Sequence, residues 1–216
     1  KYPRTLEKDA NLLESLGVHF VFAPTPEEMY TPEEMQQPFS FDFNGLDTVM
    51  EGKMRPGHFN GVVQVVSRLF ELVRPTRAYF GEKDFQQLAI IRHMVDQSSL
   101  AGQFEGLKII GCPIVREKSG LAMSSRNERL SENEKQIAVG ISKTLISSVE
   151  WAKNTSVEDV KQRVIDTINA IDGLEVEYYE IVDKTTLQPT NTFQNAIGCV
   201  TVYCGPVRLI DNIQYQ

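Results

Sequence analysis

The chain has 216 residues, 41% of them apolar and 24% charged, which is the composition of a folded globular protein and excludes the intrinsically disordered and low-complexity classes. Asp and Glu outnumber Lys and Arg by 29 to 22, and the net charge of −7 argues against general binding to nucleic acids or anionic membranes. Three cysteines, no uncharged apolar run of membrane-spanning length and no signal-peptide pattern favour a cytoplasmic protein.

The first half of the chain alternates predicted helices with predicted strands. Apolar residues with helical periodicity predict amphipathic helices at 5–16, 61–73 and 85–95. Short apolar or alternating runs predict strands at 18–23, 39–43, 78–80 and 107–111. Between the first two strands, Thr-Pro-Glu-Glu-Met occurs twice, at 25–29 and 31–35, and predicts two short helical turns, each capped by Thr and begun by Pro. The alternation is typical of a parallel α/β sheet.

The pattern changes after residue 130. Ser131 and Glu134 form a capping-box sequence before a long amphipathic helix, and Ser156 precedes a second one. Strands are predicted at 175–182, 196–204 and 206–213, with no helix between the last two. Two helices on a small antiparallel sheet form an α+β unit, so we expect two domains, residues 1–123 and 124–216.

Charge is distributed unevenly along the first half. Residues 27–51 include seven acids and no Lys or Arg, whereas residues 53–92 include seven bases and three acids. A local net charge of +4 in an acidic chain suits a pocket for a polyanionic small molecule. Solvated helix faces are the alternative for each base taken singly.

The turn at 81–84, Gly-Glu-Lys-Asp, joins a predicted strand to the helix at 85–95. Ligands of parallel α/β sheets bind at the carboxyl ends of strands, beside helix N-termini, where free N–H groups and the helix dipole favour phosphate. Lys83 adds a positive charge, and Gln86 and Gln87 could hydrogen-bond a polar substrate. The sequence is short, so a surface turn with a solvated lysine is the alternative.

A second motif, Met-Ser-Ser-Arg-Asn at 123–127, follows the loop 116–120, which ends in glycine. Hydroxyl groups and a guanidinium in succession can hold phosphate oxygens, since arginine binds them with two parallel hydrogen bonds. Gly120 favours a loop that can close. An N-terminal capping cluster for the next helix is the alternative.

A third segment, 51–59, is a polar loop with Gly and Pro, one histidine and two cations. His58 in this loop is a candidate site residue, with a structural role in helix capping as the alternative. The chain contains neither a P-loop nor a G-x-G-x-x-G sequence. Cys199 and Cys204 lie in an apolar strand with no histidine nearby, so we expect core cysteines and not metal ligands.

Five segments together resemble one known family. They are Tyr-Pro-Arg-Thr at 2–5, Arg-Pro-Gly-His-Phe at 55–59, Phe-Gly-Glu-Lys-Asp-Phe-Gln-Gln-Leu at 80–88, Gly-Leu-Ala-Met-Ser-Ser-Arg-Asn at 120–127 and Arg-Leu-Ile-Asp-Asn at 208–212. The set resembles the pantothenate synthetases (pantoate–β-alanine ligases) over the whole chain. The segments at 80–88 and 120–127 are together highly specific.

The resemblance implies a fold, a reaction and partners. The fold is a Rossmann-like nucleotidyltransferase domain that binds ATP and pantoate, followed by a small C-terminal α+β domain. That second domain serves as a lid and lies on the side of the dimer contact. ATP, accompanied by Mg²⁺, adenylates the pantoate carboxylate and releases pyrophosphate; the β-alanine amine then attacks the pantoyl adenylate and AMP leaves. The family's enzymes are cytosolic homodimers.

The resemblance also implies roles for residues that match the family's motifs. Gln87 would hold pantoate, Val115 would contact adenine through its backbone, and Arg55 and His58 fall in a loop beside the active site. No metal ligand on the protein is implied. The ATP site would be lined by Gly81, Glu82, Lys83 and Asp84, with Lys83 at the phosphates, and by Met123, Ser124, Ser125 and Arg126, the family's version of the K-M-S-K-S loop. The residues implied in catalysis are Lys83, Ser124, Ser125 and Arg126.

The family's H-x-G-H motif, whose histidines stabilise the ATP phosphates, has no match in this sequence. Arg-Pro-Gly-His at 55–58 differs from it, since arginine replaces the first histidine and no strand precedes it. We therefore expect a truncated piece of such an enzyme, without turnover of its own. The alternatives are a non-catalytic binding or dimerising fragment, or a related adenylate-forming nucleotidyltransferase with another acid; an in-frame H-x-G-H upstream of Lys1 would discriminate them.

Overall fold

A computed structural model describes residues 5–37, 39–97 and 102–215 of the chain. The chain divides into two compact units, residues 1–38 and 39–216. The first unit contains α1 (Leu6–Ser15), α2 (Pro26–Met29) and α3 (Pro32–Gln36). Both short helices begin as predicted, with a Thr–Glu capping box and Pro in the first turn. Residues 2–4, part of the first motif, lie outside the described residues.

The predicted strand at 18–23 is not formed. The segment has no regular secondary structure, and the Phe20 side chain is 91% exposed. An apolar run becomes a strand only where a neighbouring strand satisfies its backbone N–H and C=O groups, and among the described residues none pairs with this one. The apolar composition therefore predicted a strand, but the segment has no hydrogen-bonded neighbour among the described residues and stays irregular.

The second unit begins with the predicted parallel α/β arrangement. Its helices are α4 (Met50–Met54), α5 (His58–Val73) and α6 (Phe85–Asp96), and its strands are β1 (Arg77–Gly81) and β2 (Lys108–Cys112). β1 pairs with β2 in parallel, Arg77 opposite Lys108 and Gly81 opposite Cys112. A single 3₁₀ turn (Glu82–Asp84) joins β1 directly to α6.

The alternating phenylalanines at 39–43 do not form the predicted strand. Phe43 is buried, and Phe39 and Phe41 pack against the same hydrophobic cluster, so the alternation does mark partial burial. The Phe41 and Phe43 rings meet edge to face at 5.0 Å. Side-chain packing, without a partner strand, accounts for the pattern.

The C-terminal part has two long helices and one antiparallel sheet, as predicted. The helices are α7 (Glu132–Trp151) and α8 (Val157–Asn169), and the strands are β3 (Leu174–Asp183), β4 (Ala196–Cys204) and β5 (Val207–Gln214), in the order β3-β4-β5. Ser131 accepts a hydrogen bond from the Glu134 N–H at 3.3 Å while the Glu134 carboxylate accepts from the Ser131 N–H at 2.7 Å, so the predicted capping box is confirmed.

The antiparallel sheet supplies side chains to two hydrophobic cores. Tyr179 and Ile181 belong to a core with α7 and α8, whereas Val182 and Cys199 belong to a core with α5 and α6. The mixed α/β fold with a parallel pair and a separate antiparallel sheet is confirmed. The boundary at 123/124 falls inside the unit 39–216 and stays a prediction. Among the described helices, none is long and apolar enough to cross a bilayer.

Candidate active site

A cleft of about 460 Å³ lies where β1 ends and α4, α5 and α6 face the antiparallel sheet. Its lining includes most of the predicted substrate-side residues, which are Arg55, His58, Lys83, Asp84 and Gln87. The wall opposite them is formed by β3, β4 and β5, through residues such as Tyr178, Cys199 and Asp211. The sheet of the C-terminal part therefore forms one side of the cleft.

The turn that carries Lys83 is fixed by strand β5. The Asn212 side-chain amide donates to the carbonyl of Glu82 at 2.8 Å and to that of Lys83 at 3.1 Å. Burial lowers the pKa of Lys83 from its ordinary value, while the negative charges of Asp84 and Asp211 oppose that shift. Lys83 is thus a partly desolvated cation at the end of a parallel strand, where a phosphate would meet it.

The second motif lines a smaller adjoining cavity of about 320 Å³. Ser124 and Arg126 line it, and Lys83, Ile210 and Asp211 line both cavities. The Ser124 hydroxyl accepts from the Arg126 N–H at 3.2 Å and so caps the 3₁₀ helix Ser125–Arg129. Lys83 and Arg126 are therefore brought to one continuous cavity although 43 residues separate them in sequence.

Arg126 docks on the sheet. One of its guanidinium nitrogens, Nη1, donates to the Arg208 carbonyl at 3.0 Å. The capping alternative for this motif is also satisfied in part, because Ser124 caps the turn that follows, so the motif has a local structural role as well as a place in the cavity. Ser125 is exposed and lines neither of the two cavities.

Val115 and Met123 lie together outside the two cavities. The Met123 N–H donates to the Val115 carbonyl at 2.9 Å, and the residues are 53% exposed for Met123 and 65% exposed for Val115. An exposed apolar pair, of which Met123 directly precedes Ser124 of the smaller cavity, is suited to contact a planar ring. The Val115 carbonyl has already accepted one hydrogen bond, so its N–H and the second lone pair of the carbonyl remain for a ligand.

The loop before the second motif is closed on β5. The Arg116 guanidinium makes two parallel hydrogen bonds to the Asp211 carboxylate, and Arg116 pairs with Ala122 in an isolated antiparallel bridge. Gly120 has φ of +98°, a backbone conformation that residues other than glycine rarely adopt. The sequence predicted from this glycine a loop that can close. In the structure, its positive φ shows that glycine is needed for a tight turn.

A part-buried ion network that sequence reasoning missed adjoins the cleft, which its members Glu51 and Tyr178 line. The Arg208 guanidinium donates to Glu51 at 2.9 Å and 2.6 Å and also to Glu177, while the Tyr178 and Thr201 hydroxyls donate to Glu51 at 2.8 Å and 3.2 Å. Burial alone would raise the pKa of Glu51, but these hydrogen bonds and the charge of Arg208 outweigh it and hold the pKa below its ordinary value.

The two neighbouring glutamines of α6 have different roles. Gln86 is buried, and its amide nitrogen donates to the carbonyls of Leu46 at 2.7 Å and Val49 at 2.9 Å. The segment before α4 therefore occupies the Gln86 amide nitrogen, whereas Gln86 Oε1 has no hydrogen-bond partner among the described residues and Gln86 lines the cleft. A hydrogen bond from a substrate to Gln86 stays a prediction. Gln87 is half-buried and lines the cleft, as expected of a substrate ligand.

The loop of Arg55 and His58 turns into α5 beside the cleft. Gly57 has φ of +78°, and the His58 N–H donates to the Arg55 carbonyl at 3.0 Å, so the two side chains leave one tight turn. Burial and the charge of Arg55 lower the pKa of His58, while Glu51 and Asp84 oppose the shift. Arg55 is more exposed and lies 3.6 Å from Glu51.

Short sequence motifs did not identify the residues whose hydrogen bonds fix the segments of the site. Arg208, Asp211 and Asn212 belong to a segment that carried the family resemblance, yet no role was assigned to them. A charged residue, an acid and an amide within one apolar strand were the available signal, because such groups are buried in a sheet only when they have partners. The expected core cysteines are confirmed: Cys199 and Cys204 are buried and free.

The architecture and the cation-lined cavities define an α/β enzyme of the nucleotidyltransferase fold. The family model described as pantoate-beta-alanine ligase matches residues 1–214. The chain belongs to the pantoate–β-alanine ligase family.

Curated relatives and solved structures agree with this assignment. A pantothenate synthetase of Phocaeicola vulgatus is 57% identical over 219 residues, covering 100% of this chain and 75% of the relative, and one of Bacteroides fragilis is 55% identical with the same coverage. The pantothenate synthetase structure from Thermus thermophilus has a TM-score of 0.89 at 39% identity, covering 100% of this chain and 77% of that one.

A further solved structure adds a ligand-bound relative. The pantoate-beta-alanine ligase of Francisella tularensis, complexed with beta-gamma ATP and beta-alanine, has a TM-score of 0.74 at 31% identity, covering 99% of this chain and 71% of that one.

Proposed function

We propose that this chain carries the ATP- and acid-binding groups for the condensation of pantoate with β-alanine through a pantoyl adenylate. One observation carries the proposal: Lys83 and Asp211 line both the cleft that contains Gln87 and the adjoining cavity that contains Arg126. Adenylation requires the carboxylate of the acid to lie next to the α-phosphate of a nucleoside triphosphate, and the two cavities share a wall at Lys83.

In the first step, a pantoate carboxylate oxygen forms a bond to the α-phosphorus of ATP, and the bond to pyrophosphate breaks. Negative charge grows on the leaving pyrophosphate. Lys83 and Arg126 stabilise that charge, since desolvated, fixed cations favour a developing anion more than they favour the ground state. Gln87 holds the pantoate polar groups and keeps its carboxylate in line.

We assign the remaining ATP contacts to the residues around these cations. Gly81, Glu82 and Asp84 surround Lys83 in the turn, and Ser124 and Ser125 present hydroxyls beside Arg126. Met123 and Val115 cover the adenine, with the Val115 N–H as the polar contact. The proposed domain organisation follows: residues 1–123 bind ATP and pantoate, and residues 124–216 supply the Ser-Ser-Arg loop and the opposite wall.

The ion and the partners complete the proposal. Among the residues that the structure describes, no group of three or more His, Cys, Asp or Glu side chains could hold a metal ion. We propose that Mg²⁺ enters the site on the ATP phosphates, where it would supply charge neutralisation, and Asp84 is the carboxylate of the turn that lines the cleft. The working form that we propose is a cytoplasmic homodimer.

The test is pantoate-dependent exchange of labelled pyrophosphate into ATP, followed by AMP release on addition of β-alanine, with the protein expressed from its complete open reading frame. Exchange that requires pantoate supports adenylation. Exchange with another carboxylic acid in place of pantoate would favour the related nucleotidyltransferase. ATP binding without any exchange would favour the non-catalytic alternative.

A further inference from the structure

The second half of the proposed reaction requires a proton acceptor. When the β-alanine amine bonds to the acyl carbon of the adenylate, its nitrogen becomes positively charged and must lose a proton. No lysine or arginine of the cleft serves, because each is a cation or a hydrogen-bond donor.

Apart from Asp84 and His58, the carboxylates and other titratable groups of the cleft are already committed. Glu51 accepts from Arg208, Tyr178 and Thr201, and Asp211 is held by Arg116. Burial raises the pKa of the Cys199 thiol to about 12, and it raises the pKa of Tyr178 as well, so neither group is an anion near neutral pH. Asp84 remains, exposed and next to Lys83.

His58 differs from these groups. It lines the same cleft as Gln87 and Lys83, and it is half-buried as the first residue of α5. Across residues 5–37, 39–97 and 102–215 the hydrogen bonds include none to the imidazole nitrogens of His58. The ring packs beside the Phe59 ring, at a centroid distance of 5.0 Å. An imidazole in a cleft whose nitrogens have no protein partner can accept a proton from a ligand.

We propose that His58 is the catalytic residue that takes the proton from the β-alanine nitrogen; this inference rests on the proposed adenylate mechanism. The nitrogen lone pair forms the bond to the acyl carbon, the carbon–oxygen bond to AMP breaks with its electron pair staying on the phosphate, and one N–H proton passes to the free imidazole nitrogen. The products are the amide, AMP and an imidazolium that returns its proton to water.

The charges around His58 keep it ready for this role. Burial and the Arg55 charge lower its pKa, and the position at the N-terminus of a 16-residue helix also disfavours imidazolium. Glu51 and Asp84 act in the opposite direction. The groups that face it from the other elements are Lys83 on the turn, Tyr178 on β3, Cys199 on β4 and Asp211 on β5.

The experiment separates the two half-reactions in the protein expressed from its complete open reading frame. Pantoate-dependent pyrophosphate exchange reports adenylation, and the reaction of preformed enzyme-bound pantoyl adenylate with β-alanine reports aminolysis. We expect His58→Gln to slow aminolysis by about 10²–10⁴-fold, the contribution of a general base, while exchange stays within about threefold of the unsubstituted protein. The matched control is His93→Gln, whose ring lies outside the cleft against the Asp42 carbonyl at 3.1 Å.

Two results would overturn the inference: aminolysis by His58→Gln within about threefold of the unsubstituted protein, or an equal loss in both half-reactions, which indicates a structural role.

If His58→Gln and His58→Asn both lose the native circular dichroism spectrum, the pH dependence of aminolysis by the unsubstituted protein is the test. With subsaturating β-alanine, the logarithm of its aminolysis rate should rise with pH at a slope of about two below the pKa of His58 and about one above it. A slope of about one throughout excludes the histidine. Absence of exchange in the unsubstituted protein would instead contradict the proposed adenylation.

Discussion

Asp211 holds the Arg116 guanidinium through hydrogen bonds of 2.6 Å and 2.9 Å, although 95 residues separate the two in sequence. The pair fastens the loop before the Ser-Ser-Arg motif to strand β5. Asp211 also lies on the wall common to both cavities, and its negative charge raises the pKa of Lys83 against the effect of burial. One strand of the C-terminal sheet thus orients both cationic segments.

Lys83→Ala should reduce pantoate-dependent pyrophosphate exchange by about 10²–10³-fold or more. The physical reason is that one well-placed donor to a developing negative charge contributes this much, and a full cation can exceed it. Exchange is measured at saturating ATP and pantoate, with circular dichroism to establish folding. Lys135→Ala is the control, because Lys135 makes a surface ion pair with Glu132 at 2.7 Å, away from the cleft. A loss smaller than threefold would end the assignment.

Arg126→Lys should be nearly as damaging as Arg126→Ala. The guanidinium already uses Nη1 to hold the Arg208 carbonyl, which leaves its other nitrogens for a phosphate oxygen. A lysine ammonium is a single point charge and cannot span both partners. Steady-state turnover and the KM for ATP are the measurements, with Arg163→Lys, which lies over the Trp151 ring, as the control. Recovery of most of the activity by lysine would contradict the two-partner role.

Asn212→Ala should lower exchange by about 10–100-fold although Asn212 is proposed to contact no substrate. The substitution removes two hydrogen bonds to the turn of Lys83, each contributing about 0.5–1.5 kcal/mol, so the lysine samples positions away from the phosphate. We expect the free energy of unfolding to fall by about 1–3 kcal/mol in parallel. Urea denaturation and the exchange assay measure the two effects. The exposed Asn154, replaced by Ala, is the control; equal exchange in both variants would show that the turn holds its shape unaided.

Glu51 should make the stability of the fold sensitive to acid. Its pKa in the folded state lies below the ordinary value of 4.5, so its stabilising contribution is complete above that value and is lost as the pH falls through the folded-state pKa. Glu51→Gln should remove this part of the acid dependence and cost about 1–3 kcal/mol at neutral pH, because Arg208 loses one of its two charged partners and keeps Glu177. Urea denaturation between pH 3 and about pH 7 gives the slopes.

The control for Glu51 is Glu175→Gln, an exposed carboxylate on β3. It should leave both the neutral-pH stability and the acid dependence unchanged. A Glu51→Gln protein with the acid dependence of the unsubstituted chain would show that the network does not govern this titration.

Local signals in the sequence predicted helices and contiguous motifs well. The capping box at Ser131 and the cation at Lys83 depend on neighbours a few residues away, so a short window contains the relevant chemistry. The strands at 18–23 and 39–43 were predicted wrongly because a ladder needs a second strand, which no local pattern specifies. The same reason hides Glu51: its partner Arg208 is 157 residues further along the chain.

The position of Asn212 and Arg208 on strand β5 sets the order in which the site can form. During synthesis, the turn of Lys83 and the Ser-Ser-Arg loop leave the ribosome well before β5 exists to hold them. Pairings across more than a hundred residues carry a large loop-closure entropy and form late in folding. Nascent chains ending before Val207 should therefore bind neither substrate tightly, and binding of nucleotide would report that β5 has entered its sheet.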